Sequence, residues 1–226
     1  MKQPIVAPRN SVRCAKSMGT VQPKGDTRQT TAALSTLIVP FILWPIVFNR
    51  ILTDFWLGLA IATAILLLLS VRINRGLDLR AGLRWLILGA VSGVILYGGF
   101  YAGFQATKGI AAFSGGVTSV YDLKTNRSLL IIAALLVFPI GPGEETYWRG
   151  LIQRKLQASG QRYAWVLQAI PYTLIHLFTL NPPLLLTALI GGLAWGYLYK
   201  LSGSITPSIL SHVVFDLLIF VVLPFS

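Results

Sequence analysis

The sequence predicts an all-α fold: a polytopic transmembrane helical bundle of about seven spans. Three observations carry this. The chain of 226 residues is 54% hydrophobic, has a mean hydropathy of +0.69, and is only 12% charged. That leaves far less polar surface than a soluble domain of this length needs. Its apolar runs approach or reach the roughly 20 residues that cross a bilayer. Most of its charges lie between those runs rather than in one patch.

Along the chain, residues 1–30 carry six basic residues and one acid, with no periodic apolar face. They lack the central hydrophobic run of a signal peptide. The expectation is a basic, disordered tail, with an organellar targeting peptide as the alternative because acids are scarce. The lone cysteine, Cys14, lies in this tail; it allows no intramolecular disulfide and has no neighbours that mark a nucleophile. Seven apolar segments follow, near 32–48, 55–71, 85–104, 128–148, 163–179, 183–200 and 205–224. Residues 31–127 thus form three amino-terminal spans and an external loop, and 128–226 a four-helix core. Pro40, Pro45, Pro139, Pro171 and Pro207 fall inside segments, which is tolerated where neighbouring helices satisfy the freed backbone groups. Small residues in "LGAVSGVILYGGFYAG" (88–103) and "ALIGGLAWG" (188–196) let helices approach closely. The loop 105–127, rich in Gly, Ser and Thr, has room for a short surface helix.

The net charge of +12 has no aromatic-basic module beside it, so no nucleic-acid partner is expected. It reads as topogenic charge, with membrane lipid as the partner. With the amino terminus cytoplasmic, that side holds fifteen basic residues: six in the tail, four in 72–84, four in 149–162, and Lys200. The other side holds Arg50, Lys108, Lys124 and Arg127.

Asp26, Asp54, Asp78 and Asp122 fit loops or segment ends. Glu144, Glu145, Asp216, His176 and His212 do not; they include every glutamate and histidine in the chain. Ionisable residues inside spans are costly and usually face an internal cavity. Glu145 and Arg149 are four apart and share a helix face, where they can pair. Glu144 points about 100° away. His212 and Asp216, in "SHVVFDLL", also share a face. Taken singly, each element has a bland reading: a solvated face, a bonded core histidine, a helix–helix tie. Together they favour a site.

The chemistry open to such a set is water activation by a glutamate, helped by histidine, with hydrogen-bond donors for a developing oxyanion. No Gly-x-Ser-x-Gly, triad order or poised cysteine supports a covalent nucleophile, and His-Glu-x-x-His is absent. The order "EETYWR", "YTLIH", "HVVFD" resembles the three motifs of the CAAX protease and bacteriocin-processing (CPBP, or Abi) family of intramembrane endopeptidases. Their pattern is Glu-Glu-x-x-x-Arg, Phe-x-x-x-His and His-x-x-x-Asn/Asp. The stretch 191–212 also looks like the family's approach to the last histidine, and the likeness covers about 128–220.

The resemblance implies that Glu144 activates the attacking water, assisted by His176. His212 and Asp216 stabilise the oxyanion, and Glu145 and Arg149 brace the site. Two departures stand out. Tyr172 replaces Phe, adding a hydroxyl that needs a partner. Asp216 replaces the commoner Asn, so it must be protonated to donate, and otherwise only orients His212. The substrate implied is a membrane peptide or lipidated protein. No cofactor is favoured; the alternative is a divalent metal, zinc first, on Glu144, His176 and His212. An alternative from another class is a non-proteolytic membrane protein, a proton relay or a scaffold for export or immunity. Simple alternation separates Glu144 from His176. They meet only if the fourth helix continues to about Leu156 and the fifth breaks or tilts near Pro171.

Overall fold

A computed structural model describes residues 27–74, 76–124 and 127–225. Most of the amino-terminal tail, Cys14 and Asp26 included, lies outside the described residues. The chain is an integral membrane protein, all-helical among the described residues. Helices α1 (Thr27–Ser35) and α2 (Ile38–Phe48) join into the first apolar helix, Thr30–Phe48. Asp54 caps α3 (Phe55–Ile73), its carboxylate accepting from the Trp56 and Leu57 amides at 3.1 and 3.3 Å. The same carboxylate pairs with Arg127. A capped helix start thus explains this acid.

Helix α4 (Leu83–Thr107) packs on α12 (Thr206–Leu217) through Gly89 and Gly93. A Cβ there would lie 2.7 Å from the Pro207 carbonyl oxygen and 2.5 Å from that of Ser211. The expected close approach is therefore real at the first half of the small-residue stretch. Gly98, Gly99 and Gly103 meet nothing within 4 Å. The loop that follows contains α5 (Ala111–Asp122).

The site is built by the next two segments. The stretch Leu129–Ala158 runs for 30 residues with Glu144 near its middle, as two helices that meet at a kink within Leu136–Ile140. The first is α6 (Leu129–Leu135); the second comprises α7 (Gly141–Glu145), a π stretch (Thr146–Gln153) and α8 (Arg154–Ala158). Phe138 is extended (φ −163°, ψ 124°) before Pro139, which lacks the amide needed to continue regular winding. The continuation past Glu144 is the one the glutamates require. Segment 163–179 breaks into α9 (Ala164–Leu167), α10 (Ala169–Leu174) and a 3₁₀ turn (Leu177–Thr179), ending at left-handed Leu180. His176 sits at that break.

Helix α11 (Pro182–Ser202) starts on an Asn181 side-chain cap and ends at Gly203, φ 70°. Helix α12 continues through a π turn to Val222. Five helices among the described residues are long and apolar enough to cross a membrane: Thr30–Phe48, α3, α4, Leu129–Ala158 and α11. The expected count of seven is not reached by this measure, because segment 163–179 is broken and Thr206–Val222 is shorter.

Candidate active site

Glu144, His176, His212 and Asp216 line one cavity of about 220 Å³. Glu145 and Arg149 stand behind it, fully buried. The cavity's other walls are mostly apolar and aromatic, from α2, α3, α4, α5, α11 and α12.

The glutamate pair enters by way of a close approach. At Gly143 a Cβ would lie 2.6 Å from the Thr63 carbonyl oxygen, so only glycine lets α7 lie against α3. The two carboxylates then diverge. Glu145 Oε1 accepts from Arg149 Nη1 at 2.9 Å and from His212 Nδ1 at 2.8 Å. Arg149 Nη2 donates to the Gly192 carbonyl at 3.1 Å, and its guanidinium lies over the Tyr172 and Trp195 rings. A cation fixed by a carboxylate, a carbonyl and two ring faces has little freedom left. Glu144 faces the cavity, 5% exposed, with its Oε2 free of any partner. Tyr172 lines the same cavity.

His212 is held on three sides. Its Nε2 lies 3.4 Å from Asp216 Oδ2, one helical turn on. Its ring stacks on Trp195 at 3.8 Å between centroids and 16° between planes. Trp195 Nε1 is itself tied to Ser211 Oγ at 3.1 Å. Asp216 therefore stands where it orients the His212 ring.

His176 is less free than its place in the cavity suggests. Its Nδ1 meets the Tyr172 carbonyl at 2.8 Å, and its Nε2 accepts from Trp44 Nε1 at 3.2 Å. A carbonyl only accepts and an indole only donates, so the proton sits on Nδ1 and the lone pair on Nε2. Both nitrogens are engaged; for His176 to receive a water proton, Trp44 must yield Nε2. Trp44 and Trp195 were not visible as site residues in the sequence, because an indole in an apolar run reads as core or lipid contact. The one available signal was that a buried indole N–H usually finds a partner.

Of the side chains named for a divalent ion, His176 has its Nε2 accepting from Trp44 and His212 lies between Glu145 and Asp216. No group of three His, Cys, Asp or Glu side chains among the described residues is placed to hold a metal.

The site's geometry coincides with a family match. Residues 125–218 match the Rce1-like family, described as type II CAAX prenyl endopeptidase Rce1-like. That range contains Glu144, Glu145, Arg149, His176, His212 and Asp216. No curated protein and no solved structure matches the chain.

Proposed function

We propose, from the premise that residues 125–218 belong to the CAAX-protease family, that this chain is an intramembrane endopeptidase acting through activated water. Its substrate would be a membrane-associated peptide or protein of the prenylated CAAX kind. The observation that carries this reading is the lining of one apolar cavity by Glu144, His176, His212 and Asp216.

Glu144 is the group best placed to act as base, because it lines the cavity with Oε2 unpartnered, while Glu145 is spent on Arg149 and His212. It takes a proton from water as the water oxygen attacks the peptide carbonyl carbon. Once Trp44 releases Nε2, His176 holds that water by accepting its second hydrogen. His212, oriented by Glu145 and Trp195, donates through Nε2 to the oxyanion once that N–H leaves Asp216, 3.4 Å away. The proton on Glu144 then passes to the leaving nitrogen as the carbon–nitrogen bond breaks, giving a carboxylic acid and an amine. Arg149 keeps Glu145 in place. The count of seven spans and a cytoplasmic amino terminus belong to the same proposal, with the fifth and seventh segments entering the bundle as a broken and a short helix.

The test is cleavage of a prenylated CAAX peptide by the purified chain in bilayers. Glu144→Ala and His176→Ala are expected to abolish cleavage while membrane insertion stays intact. Wild-type activity is expected to survive exhaustive chelation. Cleavage by Glu144→Ala at the wild-type rate, or loss on chelation restored by zinc, contradicts the scheme.

A further inference from the structure

We propose that α5 is the wall of the cavity that sets the size of the apolar group a substrate can carry, an inference that rests on the hydrolytic reading above. Phe113, Val117, Val120 and Tyr121 all line the cavity that holds Glu144 and His176. Their spacing puts them on one face of the helix. The same residues are half-buried, whereas Ala112, Gly115, Thr118 and Ser119 are exposed. This face lies outside residues 125–218, so the matched region supplies the reacting groups and an unmatched helix supplies the wall opposite them.

The wall is fixed in place. Asn181 Nδ2 donates to the Gly116 carbonyl at 2.8 Å and lies 3.0 Å from Ser119 Oγ, while its Oδ1 caps α11. At Gly116 a Cβ would lie 2.6 Å from Pro183 Cγ. The Tyr121 hydroxyl donates to the Ile219 carbonyl at 3.1 Å, and Trp56 Nε1 to that of Leu123 at 2.8 Å. A wall docked from its middle to its carboxyl end presents a set shape, which is what lets a pocket discriminate by size. No residue of α5 is fully buried, so Phe113 and Val117, which carry no polar anchor, are the inner positions to vary.

The experiment compares one CAAX peptide carrying either a farnesyl or the longer geranylgeranyl thioether. Cleavage is measured with the wild-type α5 and with Val117→Trp, Phe113→Ala and the outward-facing Thr118→Trp. Binding of both peptides is measured in parallel in a Glu144→Gln background. Val117→Trp is expected to shift kcat/KM toward the farnesyl peptide by about tenfold or more, the scale of small size changes in an apolar pocket. Phe113→Ala is expected to shift it the other way, and Thr118→Trp to leave it alone. Equal changes for both peptides with all variants overturn the proposal, as does failure of either peptide to bind. Binding that follows α5 without any cleavage by the wild type upholds the wall and removes the hydrolytic reading.

Discussion

Arg149 shows at the residue scale how a helical-pair motif can differ from its ordinary surface meaning. A Glu-Glu-x-x-x-Arg string on a soluble helix is a solvated face whose ion pairs contribute about 0.2–0.5 kcal/mol. Here the pair is wholly buried, and the guanidinium also bonds Gly192 and lies over two rings. Removing one partner of a buried pair leaves the other charge uncompensated, at about 3–5 kcal/mol. Arg149→Met is therefore expected to lower the thermal midpoint strongly in detergent. The double variant Arg149→Met/Glu145→Met is expected to recover much of that loss. A single variant as stable as wild type shows that the pair braces nothing. The interaction was legible from spacing; its carbonyl and aromatic partners, Tyr172, Gly192 and Trp195, were not, because no local pattern encodes them.

At the element scale, the approach of α7 to α3 controls where Glu144 points. A methyl group at residue 143 would meet the Thr63 backbone, which cannot shift without moving a whole helix. Gly143→Ala is expected to displace the glutamate and to cut kcat/KM by roughly a hundredfold, the cost of about 1 Å of misplacement. Gly98→Ala, where nothing lies within 4 Å, is expected to change nothing; equal effects of the two contradict the claim. The need for a continuing fourth helix and a broken fifth followed from the sequence, because only that arrangement lets Glu144 and His176 approach. The π winding of Thr146–Gln153, which lies against α3, was not legible, since no local pattern marks it. Segment 163–179 likewise looked like a span because its composition is apolar, while its division into short turns depends on tertiary contacts.

The apolar character of the whole molecule and its all-helical build were plain from composition alone, and so was the gathering of ionisable residues in its second half. The contribution of the first half to the site was hidden. Trp44 holds His176, and α2 through α5 supply much of the cavity wall, yet nothing in residues 31–124 distinguishes those side chains from lipid-facing ones. Sidedness has a simple check, since Cys14 is the chain's one cysteine. A membrane-impermeant maleimide is expected to label it in inside-out vesicles and to spare it in sealed right-side-out ones; the reverse pattern inverts the proposed topology.

The central claim, that Glu144 works as a base on water instead of attacking the peptide itself, has a direct test in a single turnover run in heavy-oxygen water and read by mass spectrometry. If Glu144 only deprotonates the water, the heavy atom appears in the new carboxyl group of the peptide product and the Glu144 side chain stays unlabelled. Heavy oxygen recovered in Glu144, with an unlabelled product, contradicts the account.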